Sequence, residues 1–344
     1  MKIEIITTPN DQLKESGFGS LKACKSVLGS IQNMGHNVTL TVCETIKDLE
    51  EVVKRAPDLA VLAVKYLSHE NEDDIWLSEY FSQQGINYTG SSRDVLKFDS
   101  NKVLAKSLLK NKGISTANYF MAIPGQYKCE ADLPFSFPLF LKPIDAANGN
   151  GIDDQSFVEN FSAYESKVLS LNNQYNLPVL VEEYLDGREF TVSIIKNTDG
   201  DLIASAVEIV PPESTNGLRI LGAQVKTDDS EEMKKIEDDK IKSRVIALAI
   251  DAFTILGARD FGRIDIKTNK DGDCFFMEAN LVPGMTFGSS YFPKACEVAE
   301  EIPYGKVVEL ILAQGLGRIP SPVPPVNLIN ADGKVSSVLL PPVL

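Results

Sequence analysis

The sequence predicts a mixed protein, part α/β and part α+β, and three observations carry that reading. Strand-like and helix-like segments alternate through the first ninety residues, as in a parallel sheet covered by helices. The middle of the chain holds short apolar strands broken by a Gly/Asn loop and a turn. Residues 261–286, FGRIDIKTNKDGDCFFMEANLVPGMT, alternate as two β-strands, yet place Arg263, Asp265, Glu278 and Asn280 where a strand normally buries aliphatics.

The elements follow in order. KIEIITT and LAVLAVK read as buried parallel strands, and SLKACKSVLGSIQNMG between them has helical spacing closed by a glycine. SSRDVLKFDSNKVLAKSLLKNKGI is a Lys-rich amphipathic helix, FPLFLKP a strand, and LPVLVEEYLDGREFTVSIIK a strand, a turn and a strand. EIVPPESTNGLRILGAQVKTDDSEE is long, polar and weakly periodic, which suits a mobile connection over a site rather than core. EMKKIEDDKIKSRVIALAIDAFTILG is expected as one long helix ending at Gly257; KDGD then turns the hairpin, and a Gly/Ser loop leads to a last helix, YGKVVELILAQG. Beyond Arg318 the tail carries six prolines and no helical pattern, so it is an extension. No internal repeat is visible. The expected units are 1–92, 93–186, 187–318 with the charged hairpin, and 319–344.

Composition bounds the partners. The chain has 344 residues, 43% hydrophobic and 24% charged, enough core for two or three domains. A net charge of −14 argues against sequence-independent binding to nucleic acid or anionic membranes, so an anionic ligand needs a local basic site. No apolar run reaches the roughly 18 residues of a membrane span, Asp251 interrupting VIALAIDAFTIL. MKIEIITT begins as a strand without a signal-peptide core, and a cytoplasmic protein is expected. Five cysteines without a CxxC pair, joined only by His36 and His69, favour buried free thiols over disulfides or zinc.

The charged hairpin is the chemical clue. Side chains two apart share a strand face, so Arg263 with Asp265 and Glu278 with Asn280 converge if the strands pair. Each uncompensated buried charge costs at least about several kcal/mol, so something must neutralise the cluster. Two carboxylates and an amide suit Mg²⁺, which fills its octahedron with water and phosphate oxygens. Two such ions bridging β- and γ-phosphates, with Arg263 beside them, would stabilise a transferring phosphoryl group. The alternative is an Arg/Asp/Glu ladder on a solvated sheet face.

The familiar phosphate loops are missing: there is neither GxxxxGK[ST] nor GxGxxG. Instead Lys142 ends an apolar strand and AANGNG, residues 146–151, follows, letting backbone N–H groups approach phosphate. In VEEYLDGRE, main-chain groups of Glu183, Tyr184 and Leu185 can meet an adenine edge, Glu182 its amino group, and Glu189 the ribose hydroxyls. Each stretch alone is equally a turn or a strand leaving the core.

Taken in order, these pieces resemble the ATP-grasp superfamily and, within it, the D-alanine:D-alanine ligase family, over roughly residues 1–318. GRIDI followed by FFMEANLVPGMT is similar to the family's R-x-D and E-x-N-x-x-PG-[MF]-T, and Lys102 lies fourteen residues after the Tyr of INYTGSS, the family's spacing to its first ATP-site lysine. The resemblance implies an ATP-grasp fold in which an N-terminal α/β unit accompanies two α+β subdomains that clamp ATP. It places Lys102, Lys142 and Lys226 on phosphates, Glu182 to Leu185 on adenine, Glu189 on ribose, and Asp265, Glu278 and Asn280 on two Mg²⁺, with Mn²⁺ as the alternative ion. Arg263 and Lys226 would serve the transition state, and Gly284 with Ser289 or Ser290 the acceptor amino acid. A homodimer through the N-terminal unit is also implied.

Departures fall on the substrate side. In TTPNDQLKESGFGS, Ser16 aligns with the family's V-S serine, but Glu15 lies one residue off the glutamate that grips the first ammonium. Asn148 stands in for a catalytic-loop serine, and Thr227 for a tyrosine. Retained ATP and metal residues beside altered amino-acid residues imply a carboxylate–amine ligase that forms a dipeptide or amide through an acyl phosphate and whose substrate pair is not held to two D-alanines. Two alternatives are a nucleotide-binding protein without turnover and an ATP-grasp enzyme acting on a non-amino-acid carboxylate.

Overall fold

The computed structural model describes residues 1–9, 17–68, 73–144, 149–214, 217–319, 326–329 and 335–338. Glu15, Ser16, His69 and Asn148 lie outside the described residues.

Lys2–Thr7 (β1) runs parallel between Asn37–Val42 (β2) and Leu59–Leu62 (β3). Its Ile3, Ile5 and Ile6 are buried, as a central parallel strand requires. The helices Leu21–Asn33 (α1) and Ile46–Arg55 (α2) accompany this sheet, α2 opening with a Thr45/Asp48 capping box. A short ribbon, Tyr66–Leu67 (β4) with Ile75–Trp76 (β5), precedes the helix Leu77–Gln83 (α3).

The expected Lys-rich helix is two helices, Arg93–Ser100 (α4) and Lys102–Asn111 (α5). Asn101 between them is extended, with φ −135° and ψ 96°, and its side chain accepts the Leu104 N–H. An Asn at this point offers the backbone a cap in place of helix continuation. Lys102 thereby becomes the first residue of α5.

Tyr119–Ala122 (β6), Leu139–Pro143 (β7), Phe157–Val158 (β8) and Val179–Glu183 (β9) form a four-stranded sheet in the order β6-β9-β7-β8, with the helix Phe161–Tyr175 (α6) packed against it. Glu189–Lys196 (β10), Leu202–Val210 (β11), Glu232–Lys235 (β12), Phe261–Thr268 (β13) and Cys274–Asn280 (β14) form a second, antiparallel sheet, ordered β12-β11-β10-β13-β14. The two strands expected in VEEYLDGREFTV therefore belong to different sheets, and residues 184–188 carry the chain across.

Further differences lie within single segments. The weakly periodic connection contains the end of β11 and a short helix, Ala223–Asp228 (α7), which carries Lys226. The long helix begins only at Asp239 and runs to Ile255 (α8), because Asp238 accepts the N–H groups of Lys240 and Ile241. Upstream, EMKK is strand β12, paired with Val207–Val210 of β11. After the hairpin, Tyr291–Glu300 (α9) precedes the expected last helix, Tyr304–Gly317 (α10). In the tail, Val326–Ile329 (β15) and Val335–Val338 (β16) pair antiparallel.

One apolar core joins Val245, Ala249 and Phe253 of α8 to Ile264, Ile266 and Phe276 beneath the charged hairpin. Another joins α1, β1 and β3 to Phe261, Phe292 and α10, fixing the first sheet against the hairpin's opposite end. There a Cβ on Gly315 would come within 2.6 Å of Leu59, so α10 lies directly on β3. All five cysteines are free, and Cys129 is exposed rather than buried, on the polar segment before β7. No helix among the described residues is long and apolar enough to cross a membrane.

Candidate active site

The hairpin pairs in the register that its charges require, with Arg263 opposite Asn280 and Asp265 opposite Glu278. A bulge follows Asp265. Arg263 donates to both Asp265 oxygens at 2.9 Å, Asn280 Nδ2 adds a bond at 3.2 Å, and Thr191 of the neighbouring strand β10 donates at 2.6 Å. This is a bidentate, charge-assisted pair with both partners largely buried. Burial pushes the Arg263 guanidinium down, but Asp265 outweighs it and holds the group above its ordinary range. Lys102 Nζ lies 3.3 Å from Glu278. Burial raises the Glu278 carboxyl, yet Lys102, Lys226, Lys142 and Arg263 together hold it far below its ordinary 4.5, so it is ionised.

A cleft opens beside this wall, lined by Lys102, Lys142, Gly149, Glu182 to Leu185, Glu189, Lys226, Asp265 and Glu278. The structure thus brings the candidate nucleotide residues to one place. Their individual roles need adjustment. Glu182 is almost fully buried and its carboxylate is clamped between Lys106 at 2.8 Å and Lys142 at 2.7 Å, so it sets lysine positions as well as facing the cleft. The Glu183 carboxylate is bound by Asn118, and the N–H groups of Glu183 and Tyr184 already meet the carbonyls of Asn118 and Pro138, so neither N–H is available to an adenine edge. Tyr184 packs edge-on against Phe157 with ring centroids 4.6 Å apart, an aromatic floor for a base. Glu189 lies 3.4 Å from Lys267.

A second pocket adjoins the first, lined by Gly17, Gly19, Lys65, Asp99, Asp229, Glu231, Arg263, Gly284, Ser289, Ser290 and Tyr291, and Lys226 lines both. Gly284 is tight here, since a Cβ would meet Ser290 Oγ at 2.8 Å. Ser290 Oγ accepts the Thr286 N–H at 2.8 Å and holds the PGMT turn, so its hydroxyl has a structural task too. Asp99 accepts the N–H groups of Leu281 and Val282, and pairs with Lys65 at 2.9 Å. Burial pulls the Lys65 ammonium down, partly offset by Asp99.

Residues 108–313 match the family model described as D-ala D-ala ligase C-terminus. The chain belongs to the D-alanine–D-alanine ligase family. It is 26% identical over 297 residues to the D-alanine–D-alanine ligase of Aquifex aeolicus, covering 85% of this chain and 94% of that one. The Gloeobacter violaceus ligase is 26% identical over 322 residues, covering 92% and 100%. In three dimensions the chain is similar to the D-alanine–D-alanine ligase of Bacillus anthracis complexed with ATP, with a TM-score of 0.71 and 22% identity over 92% of this chain and 98% of that one. The fold is ATP-grasp, and the protein is an ATP-dependent ligase.

The ligase's donor set fits Mg²⁺. Among the described residues no three His, Cys, Asp or Glu gather as a closed cage. Glu278, Asp265 and Asn280 put oxygen donors of the type a hard cation takes on one face of the hairpin, and an ion there would replace donors that Asp265 now receives from Arg263, Thr191 and Asn280 Nδ2.

Reading the sequence alone overlooks Lys106, Thr191, Lys65, Asp99, Glu231, Lys267 and Tyr291. Lys106 had a signal: it stands four residues after Lys102, on the same helix face. Lys65 and Asp99 meet across 34 residues of sequence, which no local pattern reveals.

The helix bearing Lys226 meets residues 149–152, where the Gly-rich stretch ends, by backbone contact. The Ala223 N–H donates to the Ile152 carbonyl at 3.3 Å, and a Cβ on Gly222 would meet that oxygen at 2.5 Å. Gly222→Val is therefore expected to hold the helix away and lower kcat about tenfold or more, with Tm little changed. Steady-state phosphate release beside thermal melting checks this.

Proposed function

We propose that this ligase transfers the γ-phosphoryl of ATP to the carboxylate of one amino acid and joins the resulting acyl phosphate to the amine of another, the pair being other than two D-alanines. One observation carries the reading: Asp265 lines the nucleotide cleft, its partner Arg263 lines the second pocket, and Lys226 lines both. That continuity supports a reading in which the triphosphate and a carboxylate meet at one charged wall.

In the first step a carboxylate oxygen attacks the γ-phosphorus and the bond to ADP breaks. In the second the amine nitrogen attacks the acyl carbon, phosphate leaves, and the nitrogen loses a proton. Arg263 and Lys226 offset negative charge on the phosphoryl group in both steps. Asp265, Glu278 and Asn280 would hold two Mg²⁺, or Mn²⁺ in their place, which would supply neutralisation of phosphate charge. Closing α7 over the Gly-rich loop keeps water from the acyl phosphate. Lys102 and Lys142 serve the phosphates, Leu185 the adenine, Glu189 the ribose, and Gly284 with Ser289 and Ser290 the acceptor.

The substrate claim is supported by a second pocket carrying Lys65, Asp229 and Glu231, and by the departures at Glu15, Asn148 and Thr227. The reading extends to a cytoplasmic homodimer formed through residues 1–92, with subdomains 93–186 and 187–318 clamping ATP and 319–344 as an extension.

Phosphate release measured with paired D- and L-amino acids tests it. Release is expected to need Mg²⁺ and one particular pair. Maximal release with two D-alanines would overturn the substrate claim, and release independent of any amine would overturn the joining step.

A further inference from the structure

Glu231 stands immediately before β12, is 7% exposed, and lines the second pocket. Its Oε1 accepts from the Tyr291 hydroxyl. Its Oε2 is buried with no hydrogen-bond partner. A desolvated carboxylate oxygen without a donor is unfavourable, and persists where a ligand supplies one.

The surroundings define that ligand. The Tyr291 ring that holds Glu231 also lies over the Arg263 guanidinium, at 5.3 Å from its centroid, and 6.0 Å from Lys226 Nζ. Acid and cations are thus separated by one aromatic ring. A molecule bearing both charges spans them, with its carboxylate toward Arg263 and Lys226 and its ammonium on Glu231. A simple carboxylic acid of the same shape leaves Oε2 unpaired and is rejected.

We infer that Glu231 is a specificity-determining residue that binds the ammonium of the amino-acid substrate, with Tyr291 fixing its carboxylate. This rests on the ligase reading above. Burial, together with the bond to Glu231, holds the Tyr291 phenol above its ordinary range, so it stays a donor at neutral pH.

The test is calorimetric binding of amino acids and their matched acids lacking the amino group to the full chain with Mg²⁺ and a non-hydrolysable ATP analogue, for wild type and Glu231→Gln. Wild type is expected to prefer the amino acid. In Glu231→Gln, which keeps the side chain's size and the tyrosine bond, amino-acid affinity falls about 10- to 100-fold, the preference collapses, and analogue affinity is unchanged. Tyr291→Phe weakens the same preference less. An undiminished preference in Glu231→Gln overturns the inference, as does a wild type that binds both acids equally. Phosphate release by the same proteins, with ATP in place of the analogue, separates the two readings: discrimination by Glu231 without release sustains this inference and sinks the ligase reading, whereas release from an undiscriminating pocket does the reverse.

Discussion

Replacing Arg263 by alanine is expected to lower kcat by about 10³-fold or more, while KM for ATP changes by less than about tenfold. The guanidinium lies at the junction of the two pockets, donates twice to Asp265 and is capped by Tyr291. Its position is fixed before substrate arrives, so none of its orientation has to be established during transfer. Leu185 and Glu189, proposed above for adenine and ribose, line the nucleotide cleft, which Arg263 itself does not, so ATP affinity should respond little. Asp265 keeps its bonds from Thr191 and Asn280 in the variant, which limits the loss of stability. Arg263→Lys retains a charge but not the planar fork, and should recover only part of the rate. Single-turnover phosphate release decides it: an alanine variant within tenfold of wild type would remove the guanidinium from the transfer step.

The hairpin was legible because it breaks a rule. Charges at inward positions of a strand are costly, so Arg263, Asp265, Glu278 and Asn280 pointed by period-2 alternation to the face on which the paired strands bring them together. Features that break no local rule stayed hidden. The heptad-like spacing on either side of Asn101 is continuous, so the division into α4 and α5 depends on one side-chain cap. EMKK has no strand pattern and pairs only because the edge of β11 is available to it. Lys65 reaches Asp99, and Glu231 reaches Tyr291, across sequence separations of 34 and 60. Their pairing is a product of tertiary packing. VEEYL located the crossing between the two sheets, but not that Glu182 would be claimed by two lysines.

That claim leads to the largest expected change in stability. Lys106, Glu182 and Lys142 form a buried row of two cations around one anion, with Lys106 fully enclosed. Glu182→Gln removes the anion, leaves two desolvated ammoniums facing each other, and is expected to cost about 3–5 kcal/mol. Thermal melting reads the loss, and adding Lys106→Met should restore a large part of it by removing one unpaired charge. The pH dependence has a definite sign. Burial raises the Glu182 carboxyl, but Lys106 and Lys142 outweigh it and bring it below its ordinary 4.5. Its contribution is therefore complete above about pH 4.5 and is lost as pH falls through the lower folded value. Lys106 moves the other way, its ammonium pulled below the ordinary 10.5 by burial and only partly restored by Glu182. Between the folded value and 10.5 the unfolded chain binds more protons, so stability from this group rises with pH. Without Glu182 the folded value drops further. The Glu182→Gln protein should thus lose less stability than wild type on acidification below pH 4.5, and regain more on moving from neutrality toward pH 10. Parallel curves for the two proteins in both directions would mean that these three side chains do not share their charge.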